Sequence, residues 1–181
     1  MNDKKTSTAA MISFFAFLTI FLVIADQFLK RVVTFKMALY DQIVVIPKFF
    51  SIYYCVNTGS AFSFLADKTW GIYVLSCISL IIGTIILLLM FFAVQNRMRL
   101  LAVTFCLIAA GAYGNLIDRF SLKYVIDFLR FDFGSYTFPI FNFADICAVV
   151  GTILFVIVIF FGKNEFDDFW NKLRGVFKRN A

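Results

Sequence analysis

Charged residues fall in clusters along this chain, and four of the stretches between them are both uncharged and predominantly apolar: Thr6 to Ala25, Thr69 to Asn96, Leu100 to Ile117 and Ile146 to Gly162. Crossing about 30 Å of hydrocarbon takes roughly 20 helical residues. The pattern therefore predicts an all-α membrane protein with spans at about 6–28, 69–95, 100–118 and 143–162. Lys4 and Lys5 before the first stretch resemble the start of a signal peptide, but no small-x-small cleavage site follows, and Asp26, Lys30 and Arg31 come next. That stretch is read as span one.

Outside the spans the pattern changes. The segment from Tyr40 to Val56, YDQIVVIPKFFSIYYCV, is rich in β-branched and aromatic residues, is broken by Pro47 and runs into the turn-like Asn57 to Gly59. It predicts short strands in a small β-rich extracytoplasmic lobe over about 38–66, the competing reading being an apolar loop resting on the membrane. From 163 to 181, Phe166, Phe169, Trp170, Leu173, Val176 and Phe177 recur at helical spacing among charges of both signs, which predicts a cytoplasmic amphipathic tail. The whole, 1–181, reads as one membrane domain.

Composition agrees, with 62% hydrophobic and 15% charged residues. The net charge of +6 comes without a basic stripe interleaved with aromatics, so no nucleic-acid partner is expected. Nine Lys/Arg lie in the short segments that are inner if both termini are cytoplasmic, and eight lie in the longer outer ones. That bias fits the positive-inside rule.

In a four-span chain, the end of span one, the end of span three and the start of span four share a face, here the outer one. Asp26 and Lys30, then Asn115, Asp118 and Arg119, then Asn142 and Asp145 gather there, with Asn57, Gly59 and Asp127 in the outer loops. Ionisable groups at membrane depth are costly and raise the expectation of function.

The chain has no histidine, which excludes Ser/His/Asp and Cys/His nucleophile systems and histidine-built zinc sites. Its four cysteines form no CxxC pair and are read as packing residues, with no metal and no cofactor expected. Hydrolysis would then fall most economically to a carboxylate pair, in which one member stays protonated because both cannot ionise in a low dielectric. Of seven outer aspartates, Asp26 has Lys30 as an i,i+4 partner, Asp118 is followed by Arg119, and Asp41 and Asp67 sit in loops. Asp127 in YVIDFLRF and Asp145 in FNFADICAVV have apolar flanks. For Asp145 an ordinary helix-opening role stands as the alternative.

Four strings carry a resemblance: VNTGSAF (56–62), GAYGNLIDRF (111–120), VIDF (125–128) and FNFAD (141–145). In this order, on four spans, the chain resembles the lipoprotein signal peptidases, bacterial signal peptidase II. The resemblance implies an aspartic endopeptidase that removes signal peptides from diacylglyceryl-modified prolipoproteins, cleaving before the lipidated cysteine. It implies catalytic roles for Asp127 and Asp145 and supporting roles for Asn57, Gly59, Asn115, Arg119, Asn142, Asp26 and Lys30. Asn57, Asn142 and Arg119 are expected to bond the substrate backbone or the carboxylates. Gly111 is read either as a helix-packing residue or as part of the site. The implied setting is the bacterial inner membrane, with the active site near the extracytoplasmic face. The expected partners are lipidated prolipoproteins and membrane lipids, and a monomer is expected to suffice. A small transporter would need a polar path that spans two and three lack, and a Ser60/Lys peptidase lacks a GxSxG context.

Overall fold

The computed structural model describes residues 2–58 and 70–179. In chain order it comprises α1 (Asn2–Lys36), β1 (Gln42–Ile46), β2 (Phe50–Asn57), α2 (Gly71–Gln95), α3 (Arg99–Leu122), β3 (Val125–Phe133), β4 (Tyr136–Thr137), α4 (Phe143–Phe161) and α5 (Lys163–Arg179). Helices α1 to α4 are each long and apolar enough to cross a membrane. Their outward faces expose Phe14, Phe17, Phe21 and Phe28 on α1, Ile81 and Leu88 on α2, and Val149, Ile153 and Phe160 on α4. In water so large an apolar belt would be an aggregation hazard, whereas in lipid it is the ordinary outer surface of a helix bundle. The chain is a multi-pass membrane protein.

Helix α3 is the most buried of the four and forms the centre of the bundle. Its buried Ala102, Ala109, Ala110, Gly111 and Gly114 keep its packed face narrow, so neighbouring backbones approach closely. A Cβ on Gly111 would lie 2.5 Å from the Ala144 carbonyl oxygen and 2.8 Å from Ala148 Cβ. Gly111 is therefore a packing residue against α4. Below the polar end, Phe15, Met90, Val94, Leu101, Phe105 and Cys106 make the apolar core.

Two helices run further than hydropathy suggests. Helix α1 continues to Lys36, well past the expected end near 28, and α3 continues to Leu122. Hydropathy marks where hydrocarbon ends, but a helix stops only where its backbone bonds stop. For α3 that point is Lys123, whose left-handed backbone (φ 67°) turns the chain into β3.

The small antiparallel sheet has the order β1-β2-β3-β4. β1 and β2 are the expected short strands, and they pair as a hairpin with Pro47 in its turn and Lys48 at φ 62°. The third strand was not expected, because it comes from the second outer loop. Residues 125 to 128 of β3 are buried on both faces, so the polar/apolar alternation that marks a strand is missing there. β3 pairs with β2 in a register that sets Asp127 opposite Cys55.

Helix α5 is amphipathic as expected, yet its apolar face packs on the bundle. Phe169 is buried against Phe92 and Phe105, and Phe166 meets Phe155. Met98, at the N-cap of α3, has no side-chain acceptor to offer, and Glu165 Oε1 accepts the Leu101 N–H instead at 3.1 Å.

Candidate active site

Asn142 organises the polar end of the bundle. It is fully buried and is the N-cap of α4, with Asp145 at the third helical position in a reciprocal capping box. Asn142 Oδ1 accepts the Asp145 N–H at 3.0 Å, and Asp145 Oδ2 accepts the Asn142 N–H at 3.0 Å. The Asn142 side-chain amide points the other way, donating to Asp127 Oδ1 at 2.7 Å. One residue thus bonds both candidate aspartates. The helix-opening reading of Asp145 and the paired-carboxylate reading describe the same geometry.

The remaining carboxylate oxygens are also bonded. Asn57 Nδ2 donates to Asp127 Oδ2 at 3.1 Å, and Asn115 Nδ2 donates to Asp145 Oδ1 at 2.8 Å. Asn115 Oδ1 accepts from Asn142 Nδ2 at 3.0 Å and from Lys30 Nζ at 3.1 Å. With its oxygen engaged by two donors, Asn115 can only present its NH2 to Asp145.

Asp127 is 3% exposed, in a run of β3 where Val125, Ile126 and Phe128 are buried as well. Burial first, and then the charge of Asp145, push its carboxyl up from 3.8 to about 7, against the opposing bonds from Asn57 and Asn142 and the charge of Lys30. Cys55, across the strand pair, has its thiol pushed up to about 12 by burial and by Asp127. Asp132 contrasts with Asp127. A forked bond from Arg130 and a second from Thr137 hold its carboxyl below the usual range on the lobe surface.

Asp26 and Lys30 form more than the expected helical ion pair. Lys30, 1% exposed, lies 2.8 Å from Asp26 Oδ2 and 3.0 Å from Asp118 Oδ2. Gln27 Nε2 reaches both carboxylates, at 3.2 and 2.9 Å. Asp118 and Gln27 were missed among the supporting residues. The available signal was helical spacing: residues 26, 27 and 30 share one face of α1, and residues 115, 118 and 119 share one face of α3. Gly114 lets this layer close, since a Cβ there would lie 2.8 Å from Asp26 Oδ2.

Of the two bonds expected for Arg119, the one to the carboxylates is not formed in the structure, which leaves the one to the substrate backbone. Arg119 Nη1 donates to Ser79 Oγ at 3.3 Å, and it hydrogen-bonds neither candidate carboxylate. Gly59 lies outside the described residues. Among the described residues no group of three or more His, Cys, Asp or Glu is arranged to hold a metal ion. Asp26 and Asp118 already share the Lys30 ammonium.

The comparisons with known proteins agree among themselves. The family model described as Signal peptidase (SPase) II matches residues 18–161. A lipoprotein signal peptidase of Symbiobacterium thermophilum is 41% identical over 134 residues, covering 74% of this chain and 86% of that protein. The lipoprotein signal peptidase of Yersinia enterocolitica is 38% identical over 149 residues, covering 82% and 87%. A solved bacterial membrane enzyme superposes with a TM-score of 0.72 at 31% identity, over 82% of this chain and 88% of that one.

Proposed function

The chain belongs to the signal peptidase II family, and on that premise we propose that Asp127 and Asp145 are the dyad with which it cleaves its substrate. The protein is a peptidase that removes signal peptides from prolipoproteins. The dyad reading is carried by one observation: the side chain of Asn142 bonds Asp127 while its backbone and side chain cap Asp145.

The two environments suggest a division of labour. Asp127, its carboxyl pushed up to about 7 by desolvation and then by the charge of Asp145, is the member that holds a proton toward neutral pH. Asp145 sits at the start of α4 with both oxygens accepting N–H donors, which places it as the proton acceptor of the pair. Water between them gives a proton to Asp145 as it attacks the scissile carbonyl, and Asp127 protonates the developing oxyanion. Collapse of the tetrahedral intermediate then returns a proton to the leaving amine.

The substrate class follows from the surroundings. A diacylglyceryl-modified peptide must reach the dyad from the bilayer surface, where the sheet lies beside the polar end of the bundle. The edge strand β1 exposes Ile43, Val44, Val45 and Ile46 on both of its faces, and Phe49, Phe133, Tyr136 and Phe138 are exposed elsewhere on the lobe. This apolar surface supports a lobe that rests on lipid and receives the acylated cysteine. The Lys/Arg distribution supports both termini in the cytoplasm and the dyad at the extracytoplasmic face of the bacterial inner membrane. The purified enzyme is expected to act as a monomer.

Asp127→Asn and Asp145→Asn test the assignment on a diacylglyceryl-modified precursor peptide. Each is expected to lower turnover at least ~10³-fold while leaving the protein folded. Normal processing by both variants would overturn the dyad.

A further inference from the structure

Beneath the proposed dyad lies a second pair of aspartates, Asp26 and Asp118, joined by a lysine. The Lys30 ammonium spends its three protons on Asp26 Oδ2 (2.8 Å), Asp118 Oδ2 (3.0 Å) and Asn115 Oδ1 (3.1 Å). Each of these carboxylates also holds one backbone N–H outside its own helix. Asp118 Oδ2 accepts from Ile126 N at 3.1 Å, and Asp26 Oδ1 accepts from Ala144 N at 2.8 Å. Ile126 immediately precedes Asp127, and Ala144 immediately precedes Asp145.

We propose that Asp26, Lys30 and Asp118 form a positioning clamp: one ammonium joins two carboxylates, each gripping the peptide N–H just before one member of the dyad, and so sets the spacing between Asp127 and Asp145. The inference rests on the dyad reading given above.

Three features argue for the clamp. First, β3 and the N-terminus of α4 come from different parts of the chain. Asn142 and the backbone bonds of Phe128 and Leu129 with Phe141 join these elements on one side, and the clamp is the tie that takes hold of the peptide N–H just before each aspartate. Second, Lys30 also fixes the Asn115 amide, which bonds both Asp145 and Asn142, so the clamp reaches the dyad through side chains as well as backbone. Third, three charged groups buried to 0–2% side-chain exposure are poor stabilisers, because desolvation offsets most of their attraction and apolar residues of similar volume often serve as well. Stability alone is a weak reason for such a cluster. Fixing two reacting groups to within a fraction of an ångström is a stronger one, since a misplacement of about 1 Å can cost ~10²-fold in rate.

None of the three residues touches substrate in this scheme, so the test must separate positioning from folding. The full-length enzyme would be purified and its folded, monodisperse fraction assayed on a diacylglyceryl-modified peptide, with kcat and KM measured separately. Asp118→Asn keeps an acceptor for the Ile126 N–H but weakens the tie to Lys30. The triple variant Asp26→Asn/Lys30→Met/Asp118→Asn removes every charge together and so leaves none unpaired. For both variants kcat per folded molecule is expected to fall roughly 10–10²-fold with KM within about twofold. A kcat within about twofold of the parent, or a loss that falls on KM, overturns the clamp. Should the neutral variants fail to fold, Asp118→Glu retains all charges and displaces the carboxylate by one methylene, and the same split decides. Asp127→Asn runs alongside. If that variant cleaves normally, the dyad itself is wrong; if it is dead while Asp118→Asn is fully active, only the clamp is wrong.

Discussion

Replacing Asp127 by asparagine should stabilise the protein at high pH and destabilise it at low pH. The carboxyl is held at about 7 in the folded state against 3.8 when unfolded, first by burial and then by the charge of Asp145. Between those values the folded state keeps a proton that the unfolded chain has lost. Stability is therefore fully present below 3.8 and falls as pH rises toward 7, at about 1.4 kcal/mol per pH unit. Across about 3 units the ionised Asp127 costs the folded protein ~4 kcal/mol. Asparagine avoids that cost but introduces another. Asp127 now accepts from Asn142 at 2.7 Å and from Asn57 at 3.1 Å, and an amide NH2 in place of one oxygen would face a donor. That mismatch costs about 1–3 kcal/mol at every pH. The net expectation is a variant less stable than the parent at pH 4.5 and more stable at pH 8.5. For a chain of this length, thermal unfolding in detergent should show the difference in Tm swinging by roughly 10 °C between the two conditions. A difference that stays constant across this range would refute the desolvated, proton-bearing Asp127.

Three further outcomes follow from the packing. Gly114→Ala would place a Cβ 2.8 Å from both Asp26 Oδ2 and Ala144 Cβ, so α3 and α4 must part; a loss of about 1–3 kcal/mol in unfolding free energy is expected, together with reduced cleavage. Glu165→Ala removes the acceptor that α5 supplies to the first turn of α3 and should lower stability by about 0.5–2 kcal/mol with kcat unchanged. Cys55, half-buried with its thiol pushed up to about 12, should react with a maleimide at pH 8 roughly 10³-fold more slowly than an unperturbed cysteine, as followed by mass spectrometry.

Part of the site was open to reading along the chain because it rests on local chemistry. Asn142 and Asp145 are three residues apart at a helix start, the spacing of a capping box, and Asp26 and Lys30 are one turn apart. Asp127 was identifiable by its apolar flanks and by its family motif. Its strand was not, because residues 125 to 128 are covered on both faces and lack alternation. The pairing of Asp118 with Lys30 across 88 positions, and the grip on the Ile126 and Ala144 amides, left no local trace. The apolar face of α5 was equally visible, but periodicity cannot say whether such a face meets lipid or the base of the bundle.

The sequence by itself determined that four apolar helices cross the membrane, that histidine chemistry is absent, and that aspartates collect at one end, because length, composition and helical topology settle those points. Only the tertiary structure shows which side chains link those aspartates. Asp127 and Asp145 share Asn142, while Asp26 and Asp118 share Lys30. The reason is physical: in a low dielectric, the state of a carboxyl depends on its neighbours within a few ångströms. Those neighbours come from helices and strands far apart along the chain.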